Sequence, residues 1–117
     1  MNCYRFKIQA SKKMNLWVGM QQTEPRYEWW VRLNDGKKFD SGDNAWSDYT
    51  DYKFKPGDIV EMTSNGENVS FSVNDKPLGN AFADRRLAGE NIFACVFIVD
   101  GGDFVHALKG SVVTEDV

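Results

Sequence analysis

Few residues of this chain could do chemistry, and their spacing decides most cases. Asp40, Asp43, Asp48 and Asp51 crowd one polar stretch. They miss the alternating ligand pattern of a calcium loop, so a solvated acidic loop is the better reading. Glycoside hydrolysis needs a pair of carboxylates set across the scissile bond. Asp48, Asp51 and Glu61 fall apart from one another, and no Glu-x-Asp-x-Glu set occurs. His106 is the single histidine, which rules out multi-histidine metal sites and reads as structural. Cys3 and Cys95 sit in apolar, strand-like contexts and read as two buried thiols rather than a disulfide. No catalytic set, metal or cofactor is expected.

Other residues suit recognition. Trp46, Tyr49 and Tyr52 lie beside Asp43, Asp48 and Asp51. They suit a platform for a sugar ring or peptide, but anchors that fold a long loop down are the better account. Arg26 and Tyr27 are residue types enriched at binding hot spots. The equal alternative is a solvated loop with Tyr27 lying back on a sheet. Trp17 is expected in the core. In a strand, one of Trp29 and Trp30 must face away from the other. The outward one would line a concave sheet face or pack under a loop, and packing is the better account. Asp84-Arg85-Arg86 reads as a solvated turn, and Asn68-Val69-Ser70 as a chance glycosylation triplet.

The elements that must position these residues are strands. The 117 residues are expected to form one domain, with a core from about 4 to 108 and a frayed tail from 110 to 117. Aromatic residues make up 14% of the chain, which suits a thin sandwich filled by large flat side chains. The net charge of -3 speaks against a nucleic-acid partner. No apolar run approaches the ~20 residues of a membrane span. No apolar leader opens the sequence, which points to an intracellular, cytoplasmic protein.

Tyr4-Arg5-Phe6-Lys7-Ile8 alternates apolar and charged, the period of a half-buried strand. Leu16 to Met20 suits a central strand, and Gln21 to Tyr27 a polar loop. Trp29 to Leu33 and Lys38 to Asp40 flank a turn at Asn34-Asp35-Gly36-Lys37. Ser41 to Lys53 shows no period and reads as a long loop. Ile59 to Met62 and Val69 to Val73 form a hairpin around Asn65-Gly66. A turn follows at Asn74 to Pro77, and one helical turn is expected near Asp84-Arg85-Arg86-Leu87. Ile92 to Val99 is the longest apolar run and reads as a core strand, and Phe104 to Leu108 closes the set. Nine or ten strands with frequent turns predict an all-β antiparallel sandwich or barrel.

Phe54-Lys55-Pro56-Gly57-Asp58-Ile59-Val60 and Val69-Ser70-Phe71-Ser72-Val73-Asn74-Asp75-Lys76-Pro77-Leu78-Gly79-Asn80-Ala81-Phe82 together resemble the heart of the SPRY domain. The shared pattern is a Gly-Asp opening a strand, a Ser-Phe strand, an Asn turn, a Leu-Gly and an Ala-Phe. Leu16-Trp17-Val18-Gly19-Met20 is similar to the family's Trp-x-x-Gly strand. Ile92-Phe93-Ala94-Cys95-Val96 sits where the family often has Leu-Tyr-Pro-x-Val, with Ala94 in place of the proline.

The resemblance implies a bent, concanavalin A-like β-sandwich of jelly-roll type that works as a non-enzymatic protein-interaction module. It implies a peptide or folded protein partner bound through loops at one end. Carried over, the family's loops correspond to Met20, Gln21, Gln22, Thr23, Arg26 and Tyr27, and to Asn91, Val99, Asp100 and Gly101. Many members have an aromatic residue where Asp100 stands here. A lectin-like, carbohydrate-binding module on the same architecture is the alternative. Met1 nearly abuts the first strand, so an open sheet edge and a homodimer through it are further expectations.

Overall fold

The computed structural model describes residues 2–10, 14–98 and 104–113. Their strands are β1 (Asn2–Ala10), β2 (Leu16–Gln22), β3 (Tyr27–Arg32), β4 (Lys37–Asp40), β5 (Ala45–Asp48), β6 (Ile59–Asn65), β7 (Asn68–Val73), β8 (Lys76–Ala83), β9 (Ile92–Ile98) and β10 (Phe104–Val113). A 3-10 helix spans Arg85–Ala88. One sheet has the order β10-β1-β6-β7-β8 and the other β5-β4-β3-β2-β9. Every pairing is antiparallel. Among the described residues, no helix is long and apolar enough to cross a membrane.

Period-2 alternation sends one set of side chains between the sheets. Phe6 and Ile8, Val60 and Met62, and Val69, Phe71 and Val73 come from the first sheet; Leu16, Val18, Met20, Trp29 and Val31 come from the second. Each such side chain contributes about 1.5–3 kcal/mol by leaving water. The two-residue turn between β7 and β8 places Asn74 and Asp75 at φ 50° and 68°, angles that Asn and Asp tolerate and a tight hairpin needs.

Asp58 latches the entry to β6. Its buried carboxylate accepts from Tyr52 Oη, the Lys55 amide and Asn74 Nδ2, each at 2.9 Å. Burial pushes its pKa up, but these donors outweigh burial and hold it below the usual carboxylate range. The Gly-Asp signature is therefore a structural latch that ties a loop, a strand start and the Asn74 turn together.

The structure departs from the expectations at five places. The stretch from 41 to 53 contains β5, which pairs with β4, so it is not one continuous loop. The loop after β2 is a tight turn over residues 23–26, because β2 and β3 pair out to Gln22 and Tyr27. Residues 110–113 belong to β10 rather than to a tail. Trp17 lies outside the inter-sheet core, since its neighbours Leu16 and Val18 take the inward positions. Finally, β9 is an edge strand: it pairs with β2, and Phe93 and Phe97 are exposed.

Candidate binding surface

Two chain segments meet at one end of the sandwich. Gln22 is paired with Ile92 at the end of the β2–β9 ladder. One residue beyond, the Thr23 amide donates to the Asn91 carbonyl at 3.4 Å. Asn91 has φ 61°, a left-handed turn that brings the loop back beside Thr23. Gln22 is buried, and its Nε2 donates to the Glu90 carbonyl at 3.3 Å. Its Oε1 is buried with no hydrogen-bond partner among the described residues. Thr23 and Arg26 are exposed, and Arg26 reaches Glu28 at 3.4 Å from a side chain that is 71% exposed. Such a pair is worth little to stability and leaves the guanidinium free to exchange partners.

The structure thus brings Gln21, Gln22, Thr23 and Asn91 together, with Arg26 nearby. Met20 drops out of the surface, because its side chain is in the inter-sheet core. Val99, Asp100 and Gly101 lie outside the described residues.

Tyr27 lies back on the sheet, the second of the two sequence readings, and packs against the core. Its ring stacks under the Arg86 guanidinium, 4.2 Å from the centroid, and lies beside Trp29. Arg86 in turn grips Asp84 through Nε and Nη2. Asp84 also caps the 3-10 helix through the Arg86 amide and accepts from Trp29 Nε1 at 3.2 Å. Arg86 Nη2 lies 3.6 Å from Asp40 on β4. This is a clamp between the 3-10 helix and the second sheet, and not the solvated turn the sequence suggests. The Arg86 guanidinium and the amide and indole donors hold the Asp84 carboxyl down at about 2.

A second feature is the outer face of the second sheet, where Trp30 is the outward tryptophan and lines open hollows rather than packing under a loop. Pairing aligns Phe97, Trp17 and Arg32 across it, and Cys95, Gly19, Trp30, Phe39 and Trp46 in the next row. Trp17 makes edge contacts with Trp46 at 5.1 Å, Phe97 at 5.4 Å and Trp30 at 6.0 Å between ring centroids. Arg32 stacks on Trp46 at 4.0 Å. A hollow of about 280 Å³ opens on this face, lined by Gln21, Arg26, Glu28, Trp30, Cys95, Val96 and Phe97. A second, of about 180 Å³, is lined by Trp17, Glu28, Trp30, Phe39 and Trp46. The signal was aromatic residues at alternate strand positions opposite a complete apolar set. A strand apolar on both faces reads as central, which hid the second face.

Tyr49 and Tyr52 do not join Trp46 in a platform. Tyr49 donates to the Gly79 carbonyl at 2.6 Å and packs on Phe71, while Tyr52 donates to Asp58 and packs on Phe54. They are anchors, as the sequence suggests. Cys3 and Cys95 are both free thiols; Cys3 is buried as expected, whereas Cys95 is only half-buried. Burial, with the Glu28 charge behind it, pushes Cys95 up to about 11. Among the described residues, no group of histidine, cysteine and carboxylate side chains could hold a metal ion.

Two antiparallel five-stranded sheets in this order form a SPRY-like β-sandwich. The SPRY domain of human HERC1 has this fold: its crystal structure matches with a TM-score of 0.59 and 16% sequence identity, over 92% of this chain and 76% of that one. No family model matches the chain, and no curated protein does.

Proposed function

We propose that this chain is a non-enzymatic interaction module that binds an extended peptide or a protein loop at the end where Thr23 meets Asn91. The observation that carries the reading is the convergence of two sequence-distant loops beside a hollow with an apolar floor and a polar rim. Thr23 and Asn91 join the loops; Trp30 and Phe97 supply the floor; Gln21, Arg26 and Glu28 supply the rim. A rigid sheet with exposed loops at its end is a common way to hold a binding site in place. Arg26 is suited to a carboxylate or a backbone carbonyl of the partner, since its present pairing with Glu28 is loose and solvated. The SPRY-like fold supports the same reading.

The test is affinity capture from lysate, comparing the intact chain with Gln21→Ala/Arg26→Ala. A direct binder retained by the first and lost by the second, with unchanged circular dichroism, supports the site. Equal capture by both removes these residues from it. Release by free sugar rather than by peptide would establish the carbohydrate reading instead.

A further inference from the structure

Among the described residues the two sheets have four edge strands, and three of them carry protection against pairing. β8 begins Lys76-Pro77 and has register shifts against β7. β10 has register shifts against β1, and β5 has four residues and ends in Asp48. Prolines, charges, bulges and shortness are the devices by which sheets refuse further strands. β9 has none of them. It runs seven residues, Ile92-Phe93-Ala94-Cys95-Val96-Phe97-Ile98, without a charge, proline or glycine. Its ladder with β2 is unbroken from Ile92 to Ile98, and among the described residues it has no partner on the other side.

Among the described residues, the same strand carries the exposed large hydrophobic side chains. Phe93 is 43% exposed and Phe97 50%, and both stand on the outer face with Cys95 between them. Ile92, Ala94 and Val96 pack inward on the core. The order of residue types is nearly palindromic about Cys95: Ile and Ile, Phe and Phe, Ala and Val. A two-fold antiparallel contact requires residue i of one copy to meet residue j of the other, and j to meet i. About Cys95 this strand then sets like residues opposite each other at every pair except Ala94 and Val96.

We propose that the occupant of this edge is a second copy of the chain. Two β9 strands pair antiparallel about a two-fold axis at Cys95, so that the second sheets of both copies join into one. Phe93 of each copy then stands opposite Phe97 of the other, and the two Cys95 residues face each other with Cβ atoms about 4.5–5.5 Å apart. The aromatic outer faces become continuous across the axis. One strand pair and four phenylalanines form a small interface, so the association is concentration-dependent rather than obligate. The dimer contact shares Cys95 and Phe97 with the hollow of the peptide-binding reading, but its tests, mass and cross-linking, do not depend on that reading.

Sedimentation equilibrium of the full chain should show a reversible monomer–dimer equilibrium. Phe93→Lys/Phe97→Lys sets lysine against lysine and should raise the dissociation constant by more than about tenfold. Phe93→Lys/Phe97→Glu sets opposite charges across the axis at the same two positions and should restore the dimer at low salt. In a Cys3→Ser background, mild copper–phenanthroline oxidation should link two chains through Cys95. A monomer at every concentration overturns the proposal. So does a dimer that both double variants leave unchanged.

Discussion

The Arg86 guanidinium closes on the Asp84 carboxylate, with Nη2 2.5 Å from Oδ2 and Nε 3.0 Å from Oδ1. Trp29 Nε1 donates to the same carboxylate from the core side, and Tyr27 lies under the guanidinium. The pair therefore fastens the 3-10 helix to β3, and it does so beside the proposed binding end.

This clamp makes stability depend on acid. The Asp84 pKa is held at about 2 in the folded chain, below the ~3.9 of an unfolded aspartate. A depressed folded value adds stability that is full above the unfolded pKa and is lost as pH falls through the folded one. The contribution is about 2 kcal/mol at neutral pH. It should fade between about pH 4 and pH 2. Denaturant unfolding across that window should show the loss in the native chain and a smaller loss in Asp84→Asn. Equal slopes in both would remove Asp84 as the source.

Gly19 should not tolerate a side chain. A Cβ there would run into the carbonyl of Trp29 on the paired strand β3. Gly19→Ala should cost about 1–3 kcal/mol or more, because the obstacle is backbone and cannot swing aside. Val18→Ala, which empties space on the opposite face, serves as the contrast. Thermal unfolding that leaves Gly19→Ala as stable as the native chain would show that β2 and β3 can separate without cost.

Phe71 and Tyr49 test one anchor from both sides. Phe71 is buried at the centre of β7, and the Tyr49 ring packs on it at 6.0 Å. Phe71→Ala should cost about 3–5 kcal/mol. Tyr49→Phe keeps the ring and loses only the bond to Gly79, so about 1 kcal/mol is expected. Similar losses from the two changes, read from denaturation midpoints, would mean that Tyr49 holds the loop by its hydroxyl rather than by its ring.

The hairpins were legible because local chemistry decides them. Asn74-Asp75 takes positive φ angles that few residues accept, and alternation from Val69 to Val73 assigns one face to the core whatever packs on it. The Ser-Phe and Gly-Asp pieces resembled a known family for the same reason: their residues answer to neighbours close in sequence. Tyr49 and Tyr52 were readable as anchors, since a polar loop with spaced aromatics has little else to do with them.

Where strands sit in a sheet was not legible. The run from Ile92 to Ile98 looks like a core strand because it is apolar throughout, yet β9 lies at an edge. Hydrophobicity reports how much surface a strand can bury, and strand order decides how much it does. The same gap hid the outer aromatic face, where Trp17, Trp30, Phe39 and Trp46 come from four strands aligned by register alone. It also hid the clamp, because Trp29 and Asp84 lie 55 residues apart and meet only when the 3-10 helix folds over β3. The sequence by itself determined most of the strands and turns and most of the inward side chains, which are governed by periods of a few residues, but not β5 or the outward position of Trp17. Only the tertiary structure decided which edges stay open, which aromatic residues share a surface and which charges find each other, because those depend on contacts between distant segments.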